Sequence, residues 1–453
     1  MKDGHISLMV MEGKRTMSDF RKPETISMRR RKRTAGRVRL LILFSAVLTC
    51  FLLGCRPRTS AKYPEIIYPD EYVEGQDFNP TAFSWADTPN MAAVTDDGIY
   101  FKAGIFLFFA DKTTLKARPL CFKIGCMHML ASHERVGKCN AFCDTPIGKD
   151  FVGVFRDSLY FSGRDTKTGK YELYSASLDG SNRKVLLPDI NPIIMKSMRI
   201  HRGVMYYPEG VIDLDGNVSY TLFAIDLLGG KSKPEALFSG SNVTGSFSDV
   251  LPYGNYIYYN EKFLVEREDG TKATKDRYSR YCITDGTIET LTELTDLKLY
   301  GILDHQLIFY DGFHYYEMDP EEKTISLSER GIERFQNSHP EWTCNAGSMA
   351  EDISFFNCGV PKGDYVRKLI VVNEKGEELC RLDDPAYILP YNTNQTIMID
   401  GKAYFLHFRA STRPYIVELF AIEALLQGKT NSRVLLRVMD LNDLCPGYSY
   451  TTK

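Results

Sequence analysis

Short apolar runs separated by polar turns recur along the chain from about residue 92 to residue 438. Seven of them contain an adjacent pair of large residues, mostly aromatic: Ile99-Tyr100-Phe101, Leu159-Tyr160-Phe161, Met205-Tyr206-Tyr207, Ile257-Tyr258-Tyr259, Ile308-Phe309-Tyr310, Ser354-Phe355-Phe356 and Ala403-Tyr404-Phe405. The middle residues are 60, 46, 52, 51, 46 and 49 positions apart. Runs of this composition predict strands, and a period of about 50 residues is typical of propeller blades.

Each repeat divides into four predicted strands, as the second unit illustrates. Its strands are predicted at 151–155, 159–162, 171–177 and 184–187. Asp-Gly pairs between such runs favour tight turns, which an antiparallel meander requires. We therefore predict an all-β fold, a β-propeller of seven four-stranded blades within residues 91–445. Six or eight blades also fit, because the first unit is short and residues 328–348 are irregular. Residues 78–85 are a candidate closing strand.

The first 54 residues have the organisation of a lipoprotein signal peptide. A basic stretch at 29–39 precedes an apolar run of 14 residues at 40–53, which is too short to span a bilayer core. The run ends in Leu52-Leu53-Gly54-Cys55, which resembles a bacterial lipobox. This predicts cleavage between Gly54 and Cys55 and attachment of a lipid to the Cys55 sulfur. A plain signal peptide or a short membrane anchor with a chance cysteine is the alternative.

The prediction places the mature protein on the extracytoplasmic face of the bacterial cell membrane. Met28 directly precedes the basic stretch, so residues 1–27 are interpreted as a mis-started extension. Residues 55–90 are predicted to be the lipid anchor and a tether, because they are rich in Pro, Tyr, Asp and Glu without long periodicity. Fully extended, such a tether would reach about 100 Å.

Charge is divided unequally between the two parts of the chain. Residues 1–54 hold 12 Lys and Arg against 4 Asp and Glu, a net charge of +8, whereas the remainder holds 44 against 54, a net charge of −10. An acidic body argues against nucleic acid as a partner.

A cysteine-rich segment at 119–145 falls between the first two predicted units, in an inter-blade loop. It contains Cys121, Cys126, Cys139 and Cys143, with His128 among them. Cys121, Cys126, His128 and Cys139 are candidate ligands of a structural zinc ion, since three thiolates and an imidazole suit a tetrahedral site. Two disulfides are equally consistent with an exported protein, and reduced, partly buried thiols are a third interpretation.

The lipobox and the repeat together resemble TolB-like β-propellers and, more closely, propeller lipoproteins of Gram-positive bacteria. The resemblance covers the lipobox and most of residues 92–440. It implies a Cys…Cys-x-His…Cys-Asn-Ala run at the position of the cysteine-rich segment.

The sequence contains none of four common catalytic or cofactor-binding motifs: the G-x-S-x-G elbow, the phosphate loop, H-E-x-x-H and the dinucleotide fingerprint. The body histidines are isolated in sequence and are interpreted as satisfied strand or turn residues. Trp342 is either an anchor for a partner or a side chain packed over a blade edge. We therefore predict a binding or scaffold module for a protein or envelope polymer. A glycan-active enzyme or solute-capture lipoprotein that uses the propeller mouth is the alternative, and clustered acidic residues at one end of the channel would distinguish it.

Overall fold

Seven antiparallel sheets of four strands each make up the body of the chain. In this computed structural model, the described residues are 63–439 except 74, 79–91, 104, 125, 127–138, 144–150, 166, 192–193, 213–217, 230–232, 243–249, 295–296, 312, 351–352, 361–365, 383–392, 400–401, 410–414, 422, 425–426 and 428–433. The first three sheets contain β1 to β12: Ala92–Thr95, Gly98–Ala103, Phe106–Asp111, Ala117–Pro119, Val152–Phe155, Ser158–Arg164, Tyr171–Ser177, Lys184–Leu187, Arg199–His201, Val204–Ile212, Val218–Asp226 and Glu235–Asn242. The next four contain β13 to β28: Leu251–Tyr253, Tyr256–Glu266, Lys272–Cys282, Ile288–Leu294, Lys298–Leu303, Gln306–Tyr310, Tyr315–Met318, Ile325–Leu327, Thr343–Ala350, Ile353–Val360, Val366–Asn373, Glu378–Leu382, Thr393–Ile399, Lys402–Arg409, Tyr415–Ala421 and Val434–Met439.

The sheets form a closed ring of blades. The first strand of one blade contacts the first strand of the next in the pairs β1–β5, β5–β9, β9–β13, β13–β17 and β21–β25, and β25 contacts β1. The first strands are therefore the inner strands of a propeller. Each described sheet consists of four consecutive strands, so the first and last blades meet by packing without exchanging a strand. The prediction of an all-β propeller with seven four-stranded blades is confirmed.

The paired large residues of the sequence lie on the second strand of each blade. Successive residues on a strand point to opposite sides of the sheet, and here both sides are buried against a neighbouring blade. Tyr100 belongs to the apolar cluster between blades 1 and 2, whereas Phe101 belongs to the cluster between blades 7 and 1. In the same way Phe309 packs between blades 4 and 5, and Ile308 between blades 5 and 6. Each of these two pairs therefore supplies the core of two interfaces.

An α-helix occupies part of the region that the sequence left irregular. Helix α1 (Gly331–Ser338) follows β20 and packs Ile332 and Phe335 into the cluster between blades 5 and 6. Its buried Glu333 accepts a hydrogen bond from the Tyr315 backbone N–H at 2.9 Å and lies 2.7 Å from His314 Nδ1. These contacts fix the helix to β19.

The described residues contain no helix that combines the length and the apolar character needed to cross a bilayer. The predicted signal peptide lies outside the described residues, as do residues 55–62, 74 and 79–90 of the predicted lipid anchor and tether, including Cys55.

Candidate functional site

Three of the four predicted metal ligands are brought together in the connection between blades 1 and 2. The sulfur atoms of Cys121, Cys126 and Cys139 all lie within 4.8 Å of one another, and we call this group the thiol cluster. Cys121 and Cys139 are buried, whereas Cys126 is partly accessible. His128 lies outside the described residues, so its predicted role as a ligand stays a prediction.

The start of β3 holds both cysteine-bearing stretches in place. The Leu107 backbone N–H donates to the Ala141 carbonyl at 2.7 Å, and the Leu107 carbonyl accepts from the Leu120 N–H at 2.9 Å. The Cys143 N–H donates to the Ile105 carbonyl at 2.9 Å. The residue just before Cys121 and residues just after Cys139 are thus fixed at the start of the same strand, although 18 positions separate the two thiols.

Blade 2 closes over the same segment from its outer edge. At Gly180, in the turn between β7 and β8, an added Cβ would lie 2.7 Å from the Leu120 carbonyl oxygen, and φ is +76°. Glycine is required there because both the backbone conformation and the close approach exclude a side chain. Arg183 Nη2 donates to the Asn140 carbonyl at 2.7 Å. The backbone that flanks Cys121 and Cys139 is therefore held between a strand of blade 1 and a turn of blade 2.

Backbone N–H groups are directed at the sulfur atoms. Burial raises the pKa of Cys121, but hydrogen bonds from the backbone N–H groups of Lys123 and Asn140 lower it, and the resulting pKa is below the ordinary value. Burial raises the pKa of Cys139 to about 12, against a hydrogen bond from the Ala141 N–H that lowers it. The hydrogen bonds to its sulfur therefore favour the thiolate of Cys121 over that of Cys139, and the thiolate is the form that binds metal.

Cys143 does not belong to the thiol cluster. Its side chain packs in the apolar cluster between blades 1 and 2, with Leu107 and Phe161, whereas Cys121 and Cys139 pack in the cluster between blades 7 and 1. The sequence placed four cysteines in one loop, and the structure separates them into a group of three and a core residue.

A second candidate site lies at the turns between the first and second strands of blades 3 and 4. Residues 65–78, which the sequence assigned to the tether, pack there, and we call them the docked segment. The Arg202 backbone N–H donates to the Gln76 carbonyl at 2.7 Å. At Gly254, where φ is +55°, an added Cβ would lie 1.8 Å from the Asp70 carbonyl oxygen. This part of the predicted tether therefore contacts the propeller.

Asp77 connects the docked segment to two buried residues of blade 3. Its carboxylate accepts hydrogen bonds from Arg202 Nε at 2.6 Å and from Nη2 at 3.0 Å, and both side chains are fully buried. The next residue, Phe78, donates its backbone N–H to His201 Nδ1 at 3.0 Å, and His201 Nε2 lies 2.8 Å from the Gly254 carbonyl oxygen. Burial lowers the pKa of His201 to about 4, so the imidazole is neutral at pH 7 and Nε2 is the donor.

The docked segment is also matched in charge to the turns that it covers. Residues 65–78 include five carboxylates and no Lys or Arg. The turn of blade 3 carries Arg202 and that of blade 4 an asparagine, whereas the turns of blades 1 and 5 carry Asp97 and Asp304 and that of blade 2 carries both Arg156 and Asp157. Sequence reasoning missed this site, because the acidic run was its only signal. Phe78, the start of the candidate closing strand, packs against the cluster between blades 4 and 5, far along the ring from the first and last blades.

Other predicted residues are explained by packing. Trp342 is half-buried against the cluster between blades 5 and 6, and the Arg381 guanidinium lies 5.2 Å from its ring centroid. This corresponds to packing over a blade edge. His305 Nδ1 lies 2.8 Å from the Tyr253 hydroxyl, and His339 Nδ1 lies 3.0 Å from the Phe335 carbonyl oxygen. These histidines are satisfied turn or helix-end residues, as predicted.

A polar cleft of about 740 Å³ lies between blades 5 and 6. Arg330 pairs with Asp304 at 3.1 Å and with Glu317 at 3.2 Å, and Arg334 pairs with Glu329 at 3.2 Å. Because its cations are matched by carboxylates, the cleft has no evident preference for an anionic or a cationic ligand.

Comparisons with known proteins identify propellers of solved structure. No family model matches the sequence, and no curated protein matches it. The chain is similar to the β-propeller domain of the Trilobed protease from Pyrococcus furiosus, at 10% identity over 80% of this chain and 98% of that chain, with a TM-score of 0.44. It is similar to an acylaminoacyl peptidase at 11% identity over 78% of this chain and 52% of that chain, with a TM-score of 0.44, so it spans about half of that protein's length.

TolB from Acinetobacter baumannii is also among the similar structures, at 13% identity over 73% of this chain and 78% of that chain, with a TM-score of 0.27. The structural neighbours thus include TolB and other β-propeller proteins. The assignment of the fold rests on the seven-sheet ring of this chain.

Proposed function

We propose that the protein is a lipid-anchored, extracytoplasmic β-propeller that binds or scaffolds a protein or an envelope polymer. In this proposal Cys55 carries the lipid, and the ring of blades supplies the binding surface. The observation that carries the proposal is the docking of residues 65–78 on blades 3 and 4 through the buried Asp77–Arg202 pair. The segment that follows the predicted anchor in sequence packs against one end of the propeller.

This docking defines how far the propeller stands from the membrane. Only about ten residues separate Cys55 from Glu65, and they span at most about 35 Å, compared with about 100 Å for the whole predicted tether. The turns between first and second strands therefore face the membrane in this proposal. The turns between second and third strands, at the other end of the blades, face outward and are available to a partner.

The inner strands give the enzymatic alternative no support. Glycoside hydrolysis generally requires a pair of carboxyl groups on either side of the bond that is cleaved. The seven described inner strands, β1, β5, β9, β13, β17, β21 and β25, contain neither Asp nor Glu. The inner strands thus supply no pair of carboxyl groups, and the acidic residues Asp97, Asp157 and Asp304 lie instead in the turns at one end of these strands. The turnover measurement below distinguishes the two functions.

The test is site-specific photo-crosslinking of the full-length protein in cells. A photoreactive residue replaces Thr168 or Asp269, which are exposed in the outward turns β6–β7 and β14–β15. Matched variants carry it at Asp97 or Asp157, which are exposed in the membrane-facing turns. We expect protein or polymer adducts from the first pair and lipid adducts from the second. Partner adducts only from Asp97 or Asp157 would contradict the orientation, and turnover of an envelope glycan by the purified protein would contradict the function.

The anchor is tested separately by metabolic labelling with an alkyne fatty acid. Label on the full-length protein that disappears in the Cys55→Ser variant, with loss of the protein from the membrane fraction, is expected. Label that persists in this variant would contradict lipid attachment at Cys55.

A further inference from the structure

We propose that Cys121, Cys126 and Cys139 bind one zinc ion and that this ion strengthens the seam where the first and last blades meet. The proposal does not depend on the lipid anchor or on the partner of the propeller.

The number and spacing of the sulfur atoms favour a metal over disulfides. A disulfide joins two sulfurs, whereas three converge here within 4.8 Å. In a tetrahedral site with Zn–S bonds of about 2.3 Å, neighbouring sulfurs are about 3.8 Å apart. Rotation of the side chains by a small amount would bring the thiol cluster to this spacing.

Three cysteine thiolates are a recurrent part of the ligand sets of structural zinc, in which the protein supplies all the ligands of a tetrahedral site. The thiol cluster supplies three ligands of this kind from one connection between blades.

The surroundings suit a thiolate centre. Backbone N–H groups of Lys123 and Asn140 point at the Cys121 sulfur, and that of Ala141 points at the Cys139 sulfur. Such donors hold ligands in orientation and offset negative charge on sulfur. A site with three thiolates and Zn²⁺ carries a net charge of −1, and the Arg183 guanidinium, bonded to the Asn140 carbonyl, supplies a nearby positive charge.

The location of the cluster gives the ion its role. Cys121 and Cys139 belong to the apolar cluster that joins blade 1 to blade 7, together with Phe106 and Phe142 of the same region and Leu406 of β26. The described strands of the two blades form separate sheets, so this cluster joins the blades at that point by packing. An ion that fixes the two cysteine stretches to each other also fixes Phe106 and Phe142, whose rings meet edge to face at 6.1 Å.

The experiment measures zinc in the full-length protein, purified in detergent without chelator or added metal. Elemental analysis gives the zinc content per chain, and hydrogen exchange gives the protection of β1 and β25. The variant is Cys126→Ser, chosen because Cys126 is the least buried of the three thiols. The control is Cys282→Ser, a buried cysteine of β15 whose sulfur lies 3.4 Å from Asn255 Nδ2 and 3.3 Å from Thr284 Oγ1.

We expect one zinc per chain in the wild type and in the control, and a zinc affinity at least about tenfold lower in Cys126→Ser. Protection of β1 and β25 should fall in Cys126→Ser and after chelation of the wild type, while protection of β14 stays unchanged. Chelation of the wild type keeps the test independent of whether the variant folds.

Three outcomes would overturn the proposal. A wild-type protein without zinc whose mass is lower by two hydrogens per bridge is a disulfide protein. Equal zinc in Cys126→Ser and in the wild type would exclude this ligand set. Loss of zinc with unchanged exchange at β1 and β25 would exclude a role at the seam.

Discussion

The Asp77 carboxylate and the Arg202 guanidinium form a two-point hydrogen-bonded ion pair, with N–O distances of 2.6 and 3.0 Å, across 125 residues of sequence. Neither side chain is accessible to solvent. Removal of one member of such a pair leaves a buried charge without its partner, which is far more costly than loss of an exposed ion pair. This pair therefore decides whether the docked segment stays on the propeller.

Replacement of Asp77 should release the docked segment without unfolding the blades. In Asp77→Ala, undocking lets water reach the Arg202 guanidinium, and we expect docking to weaken by about 3 kcal/mol. Limited proteolysis followed by mass spectrometry should then detect faster cleavage within residues 65–78. Asp96→Ala is the matched control, since Asp96 is exposed in the corresponding turn of blade 1. Equal cleavage rates in the two variants would contradict the structural role of the pair.

The neutral state of His201 should make the protein less stable in acid. Burial lowers its pKa from 6.5 to about 4, although Asp77 raises it, and Arg202 lowers it further. Between these two pH values the unfolded chain binds more protons at this position than the folded chain. The contribution of His201 to the free energy of unfolding is therefore complete above pH 6.5 and is lost as pH falls toward 4, by at most about 1.4 kcal/mol per pH unit.

Denaturant unfolding of the wild type and of His201→Gln at several pH values between 4.5 and 7 measures this contribution. Glutamine retains a hydrogen-bonding group but does not titrate, so the difference in unfolding free energy between the two proteins should shrink as pH falls. A difference that stays constant across this range would show that His201 does not remain neutral on folding.

The sequence predicted the blades well because their signal is local and repeated. Where the structure describes the side chains, both sides of a second strand are buried, so a blade needs adjacent large residues there. Pairs such as Tyr160-Phe161 are therefore visible in the sequence directly. Helix α1 lacks a comparable signal. It has only eight residues, and Arg330 at its N-cap makes no side-chain capping bond. Its helical form depends on Ile332 and Phe335 packing between blades, which no local pattern reveals.

The two candidate sites differ in the same respect. The thiol cluster could be anticipated because Cys121, Cys126 and Cys139 lie close in sequence and have an unusual composition. The docked segment could not, because its composition resembles that of a linker and its partners, His201 and Arg202, are more than 120 residues away. Only the folded ring brings the turns of blades 3 and 4 next to Asp77.

Close backbone contact at Gly254 should make this position intolerant of any side chain. In Gly254→Ala the new methyl would lie 1.8 Å from the Asp70 carbonyl oxygen, which must move. Gly169→Ala separates this clash from backbone strain, because Gly169 also has a positive φ, +72°, but open space around it. We expect Gly254→Ala to cost about 2 kcal/mol more than the control in thermal or denaturant unfolding. Similar losses in both variants would indicate that the docked segment does not press on this turn.

The role of the paired residues as a shared core is tested best at Phe309. This ring is fully buried on β18 between blades 4 and 5 and meets the Tyr278 ring edge to face, with centroids 4.8 Å apart. Because the blades on either side are held by their own strands, the cavity left by Phe309→Ala cannot collapse fully, and we expect a loss of about 3–5 kcal/mol in the free energy of unfolding. Phe313→Ala is the matched control in the following turn, where the ring is 66% exposed, and should change stability by about 0.5 kcal/mol at most. If the two variants lost equal stability, the burial of the second strand against both neighbouring blades would not be the source of the repeat.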